Sequence, residues 1–145
     1  MAKPTFRSVQ QAFTALKIKD DPNNEFSFGD RGITSLVMTQ SEYNYEQNNW
    51  MTVYFLGLGL RNHQGGPAGN QYWYKQAPFD YSEKYKTDIP LFVKESDGYV
   101  TFIGYYRVNA IYKRVGSQGF SYFQARLLRS KYQIPQIKLL IQGAN

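Results

Sequence analysis

The stretch PLFVKESDGYVTFIGYYRV, from Pro90 to Val108, consists of two β-forming runs broken by Ser96, Asp97 and Gly98. Leu, Phe, Val, Ile and Tyr fit a pleated, half-buried surface, and the Ser-Asp-Gly break supplies the chemistry of a tight hairpin turn. The reading predicts strands over Ile89 to Lys94 and Tyr99 to Tyr112. A third follows the turn GSQG, from Phe120 to Leu128 (FSYFQARLL). Upstream, ITSLVMT (Ile33 to Thr39) and WMTVYFLGL (Trp50 to Leu58) read as two more strands, the second broken at Gly57 and Gly59, and they are expected to pair with each other. The opening SVQQAFTALKIK spaces Val9, Phe13 and Leu16 at helical intervals behind Ser8 as N-cap and stops at DDPNN. There are too many strands and too few βαβ spacers for a doubly wound sheet. The expectation is an α+β fold: a small, strongly bent, mostly antiparallel β-barrel with one or two flanking helices.

Composition narrows the chemistry. At 145 residues, 42% of them hydrophobic, the chain is sized for one core. No cysteine is present, which removes disulfides, thiolate metal sites and a cysteine nucleophile. His63 is the single histidine, so clustered histidine sites cannot form and a His-based triad lacks partners. No metal and no cofactor is expected. Apolar runs such as Val53 to Leu60 fall far short of the roughly 18 residues of a membrane span. The opening MAKPTFRSVQQAF carries no apolar core of a signal peptide, and the reading is cytoplasmic and nucleoid-associated.

The net charge of +6 is unevenly spread. Met1 to Val93 holds nine Lys/Arg against nine Asp/Glu, whereas Lys94 to Lys131 holds seven Lys/Arg against Glu95 and Asp97. A localised basic field attracts polyanions; its plainer reading is a solvated surface. Arg107, Lys113, Arg114, Arg126, Arg129 and Lys131 are the candidate phosphate contacts, interleaved with Tyr105, Tyr106, Tyr112 and Tyr122. Strand alternation puts Arg107 on the face of Tyr105, and Tyr106 with Val108 on the other. Between them and the N-terminal strands lies RNHQGGPAGNQYWY, Arg61 to Tyr74, a Gly-rich loop. It lacks the Gly-Lys-Ser/Thr of a phosphate-hydrolysing loop. Arg61, Asn62, His63, Gln71, Tyr72 and Trp73 are its candidates for entering a DNA groove or filling the gap left by an extruded base.

The segment SLVMTQSEYNYEQNNWMTVYFLGLG, Ser35 to Gly59, resembles the core signature of SRA domains, PUA-like barrels that bind modified cytosine. Tyr43 and Gly57 match the two ends of the family's Tyr-acidic run and second strand without a gap. Pro90 to Val108 is similar to its later strand pair, with Gly104, Tyr106 and Val108 keeping the spacing Gly-x-Tyr-x-Val. The likeness runs from about Gly32 to Leu128. It departs where the family's Gly-Gly becomes Gly59-Leu60 and where the loop lacks an Asn-Lys-Arg tip.

By position, the resemblance implies that Tyr43 and Phe55 sandwich a flipped base, that Glu46 meets its polar edge, and that Leu56 offers only its backbone. The chemistry is coherent: ring stacking returns the few kcal/mol lost on unstacking, and a carboxylate accepts from the cytosine amine. The alternative for Tyr43 and Phe55 is core or rim packing, and for Glu46 a solvated loop carboxylate. The implied function is a non-enzymatic reader of 5-methyl- or 5-hydroxymethylcytosine in double-stranded DNA by base flipping. The bacterial branch adds targeting in a modification-dependent restriction system, with a fused or separate nuclease. Residues 1–131 form this domain and 132–145 a last strand or a linker. A carbohydrate- or peptide-binding module with an aromatic groove is the competing reading, and a hydrolase using Glu42 and Glu46 a weaker third.

Overall fold

Apolar side chains fall on both faces of the β-forming runs, so each face of the sheet needs a cover. The computed structural model describes residues 4–40, 52–56, 76–115 and 121–131. Its elements are β1 (Thr5–Phe6), α1 (Val9–Ala15), β2 (Phe26–Gly29), β3 (Gly32–Thr39), β4 (Thr52–Leu56), α2 (Ala77–Tyr85), β5 (Ile89–Lys94), β6 (Val100–Val115) and β7 (Ser121–Arg129). The strands form one sheet in the order β2-β3-β5-β6-β7-β4, with β1 added on β6. Helix α1 covers one face, burying Val9, Ala12, Phe13 and Leu16 against Val37, Phe92, Phe102 and Tyr105. Helix α2 places Phe79 on the other, with Leu36, Leu91, Ile103, Tyr106 and Phe123. Rings bind each core: Phe79 lies 5.2 Å from Phe26 and 5.3 Å from Phe123, and Phe92 lies 5.3 Å from both Phe13 and Phe102. Such pairs add about 0.5–1.5 kcal/mol each beyond burial.

The α+β class holds, with two corrections. β3 and β4 do not pair: β3 lies between β2 and a parallel β5, and β4 lies antiparallel on β7. Sequence proximity suggested the pairing, but the buried faces of β3 and β5 match in register at Leu36↔Leu91 and Val37↔Phe92. Among the described residues the sheet does not close into a barrel, because β2 and β4 stand at opposite ends of its order.

Three register breaks change which face the strands present. One leaves Thr34 unpaired, so Ile33 and Leu36, three residues apart, share the α2 core. The second falls at Ile103 and Gly104, letting Phe102 and Tyr105 both face α1. The third leaves out Asn109, so Val108 and Ile111 both meet the α2 core. Gly104 has φ +145, a conformation that a side chain resists, and its open face receives the Arg129 guanidinium.

Helix boundaries follow from capping. Ser8 is the N-cap, its Oγ accepting from the Gln11 N–H at 3.0 Å. The helix ends at Ala15, earlier than the apolar spacing suggests, in a Schellman motif: Ile18 N–H donates to Phe13 O at 2.8 Å and Lys17 N–H to Thr14 O at 3.2 Å. Lys17 occupies the left-handed position, φ 59, where glycine is usual. Asp20 then fastens the following loop to the β3 bulge, accepting from Thr34 Oγ1 at 2.8 Å and Ser35 Oγ at 2.7 Å. Helix α2 docks through Ser82, which is fully buried and accepts from the Ile33 N–H at 2.7 Å.

A Cβ on Gly32, at φ +111, would lie 2.3 Å from Ser82 Oγ and 2.5 Å from Ser82 N, whereas one on Gly29 meets nothing closer than 3.9 Å. Gly32→Ala is therefore expected to lose about 3 kcal/mol or more in urea unfolding. Gly29→Ala is expected to stay within about 0.5 kcal/mol of the parent.

Candidate nucleic-acid interface

Asp88 lies between α2 and β5 and gathers two donors. Arg107 on β6 donates from Nε to Asp88 Oδ1 at 2.8 Å and from Nη2 to Oδ2 at 3.4 Å, and the Ser130 hydroxyl donates to Oδ1 as well. Ser130 is held in turn by its N–H on Tyr105 O at 2.8 Å. Burial alone would raise the Asp88 pKa, but the bonds from Arg107 and Ser130 and the guanidinium charge outweigh it and leave the carboxyl below its ordinary value. The bond to Asp88 likewise raises Arg107. Their side chains are 22% and 49% exposed, so the pair orients Arg107 more than it stabilises the fold.

Beside this pair a cleft of about 620 Å³ opens between the end of α2 and the β6–β7 ladder. Glu83 and Lys86 line it from α2, Arg107 and Asn109 from β6, Arg129 from β7, and Lys131 from the residues after it. Three of the expected phosphate contacts thus converge: Arg107, Arg129 and Lys131. Lys86 joins them unforeseen, because no Ser, Thr, Asp or Asn stands at the N-cap of α2 to mark its start. Gln76 makes no side-chain cap bond, and the start signal is Pro78 in the first turn. Lys86 is the helix C-cap at φ 53, its N–H bonded to Ser82 O.

The other expected contacts are dispersed. Arg126 lies opposite Tyr54 on β4 and Ala110 on β6, outside the cleft lining. Its Nε is buried and finds no hydrogen-bond partner among the described residues. Lys113 and Arg114 stand further along β6, opposite Phe123 and Tyr122. Tyr105 and Tyr106 belong to the two cores rather than to a surface; Tyr106 is fully buried. The expected alternation itself holds, with Tyr106 and Val108 on the α2 side and Tyr105 on the α1 side.

Of the implied base pocket, Phe55 stands opposite Ala125 and Leu56 opposite Gln124 in the β4–β7 ladder. Tyr43 and Glu46 lie outside the described residues, in the connection between β3 and β4. The groove or finger candidates Arg61, Asn62, His63, Gln71, Tyr72 and Trp73 lie outside them too. No helix among the described residues is long and apolar enough to cross a membrane.

The fold is that of SRA domains. No family model and no curated protein matches the sequence, but solved structures match the architecture. KRYPTONITE in complex with mCHH DNA, H3(1-15) peptide and SAH superposes with TM-score 0.68 at 18% identity, over 92% of this chain and 32% of that one. The SUVH5 SRA complex with hemi-methylated CG DNA gives 0.62 at 18% identity, over 89% of this chain and 86% of that one. SUVH5 SRA bound to fully hydroxymethylated CG DNA gives 0.57 at 19% identity, covering 85% of each chain. The chain therefore spans about a third of the KRYPTONITE chain and most of the SUVH5 SRA chain.

The Asp88 network predicts a pH signature. A carboxylate whose pKa is depressed by folding contributes stability above its unfolded value, and this is lost as pH falls through the folded one. Asp88→Asn is expected to cost up to about 1 kcal/mol at pH 7, discounted for exposure. In urea titrations the difference from the parent should shrink below about pH 4.

Proposed function

We propose that this domain reads a modified cytosine, 5-methyl or 5-hydroxymethyl, in double-stranded DNA by flipping the base out of the helix. The observation that carries the reading is the SRA architecture over most of the chain, shared with domains solved on methylated and hydroxymethylated DNA. The cationic cleft supports it, since phosphate contacts position a duplex without reading its sequence. Tyr43 and Phe55 are the proposed stacking rings, Glu46 the acceptor for the cytosine amine, and Leu56 a backbone contact. Arg61, Asn62, His63, Gln71, Tyr72 and Trp73 are the proposed groove or gap-filling residues.

The role is binding, with residues 1–131 as the reader and 132–145 as a last strand or linker. Targeting of a fused or separate nuclease in a modification-dependent restriction system rests on the sequence resemblance, and a cytoplasmic, nucleoid-associated location is proposed from the reading of the N-terminal residues.

Fluorescence anisotropy with duplexes differing at one cytosine tests the reading. The parent should bind the modified duplex more tightly than the unmodified one, and equal affinity would refute modified-base reading. Tyr43→Ala and Phe55→Ala are expected to remove about 1–3 kcal/mol of binding to the modified duplex with folding intact. Glu46→Ala is expected to erode the preference among bases more than the affinity for all duplexes.

A further inference from the structure

We propose that the cleft between α2 and the β6–β7 ladder is a phosphodiester seat, separate from the base pocket, in which Lys86 and Lys131 hold the backbone of the bound DNA. Four cations line it against Glu83 alone, and Asp88 balances the charge of Arg107 from outside. Lys86 and Lys131 supply the positive charge of the seat, and both are exposed. Val108, Leu128, Asn109 and Ser130 complete the lining between the cations. A volume of 620 Å³ far exceeds one phosphate group, and the cations come from three separate segments, an arrangement suited to successive charges on a polymer.

The position suits DNA held at the proposed base pocket, and to that extent the inference rests on the function proposed above. Leu128, at the cleft, pairs with Thr52, whereas Phe55 pairs with Ala125. Three strand residues separate the two places, roughly 10 Å. At roughly 3.4 Å of helix axis per nucleotide of one strand, that is about three nucleotides of backbone. The bulge at Asn109 and the glycine at position 104 shape the cleft wall, the latter leaving room for the Arg129 guanidinium.

Lys86 offers a test that separates charge from folding. It sits at φ 53, where glycine is more comfortable than any side chain, so Lys86→Gly should keep or raise the thermal midpoint while removing a cation. Lys131→Gln is the second variant, at an exposed position beyond β7. The salt dependence of binding is measured with the full chain and an unmodified duplex. Each variant is expected to lower the slope of log K against log salt by about 0.9, and the pair by about 1.8. The ratio of affinities for 5-methylcytosine and unmodified duplexes should be unchanged.

Parental slopes in both variants, with midpoints maintained, would overturn the seat. A parent without preference for methylated duplex would sink the base reading, while the slopes still decide the cleft. Polyglutamate is the competing probe. If it displaced the duplex from the parent but not from the double variant, the cleft would be assigned to acidic protein and the proposal overturned.

Discussion

Strand β6 has to serve two hydrophobic cores whose demands are out of phase with simple alternation. Its 16 residues begin against α1, end beside β7, and hydrogen-bond to β1, β5 and β7 along the way. A regular strand would send Phe102 and Tyr105 to opposite faces, and Val108 and Ile111 likewise, because each pair is separated by an odd number of residues. The breaks at Gly104 and Asn109 restore them to common faces. Arg107 lies between the breaks and is thereby left half exposed, within reach of Asp88, while its neighbours on both sides are buried. The cationic cleft follows from the same adjustments, since Asn109 lines it and Gly104 accommodates Arg129.

Electrostatics in this region concern placement more than stability. A half-exposed ion pair contributes little to folding, yet Asp88 fixes the Arg107 side chain and joins it through Ser130 to the end of β7. The guanidinium is held where the lysines and Arg129 gather, and the acid that holds it also restrains the local charge. Under the duplex reading proposed above, such moderation limits unspecific attraction to the backbone, which competes with recognition of a modified site.

Much of the fold was legible in the residues. The Ser8 cap, the bounds of β5, the turn at Gly98 and the alternation around Tyr105 and Tyr106 each come from a local rule that the structure obeys. What escaped the sequence lacked a local signature. Helix α2 begins without a capping side chain, and both α1 and α2 end with lysine at a left-handed position that glycine would have marked. The parallel pairing of β3 with β5 is non-local, and of the bulges only the one at Gly104 carries a compositional mark. The charge imbalance drew attention to the C-terminal strands, but could not add Lys86, whose place in the cleft depends on α2. The named base pocket was legible only as a resemblance, and Tyr43 and Glu46 lie outside the described residues.

The parallel neighbourhood of β3 and β5 has a kinetic consequence. Leu36 and Leu91 are 55 residues apart in the chain, whereas β5 and β6 meet across the short turn at Gly98. Closing the larger loop costs more chain entropy before any contact rewards it. The expected order of assembly is a β5–β6–β7 meander first, with β3 arriving afterwards to seat Gly32 against Ser82. In pulsed hydrogen exchange, amides of β5 to β7 should gain protection before those of β3, and the reverse order would exclude this route. The sheet would then be built from its C-terminal strands, so that a nascent chain could not complete either core until β6 had been synthesised.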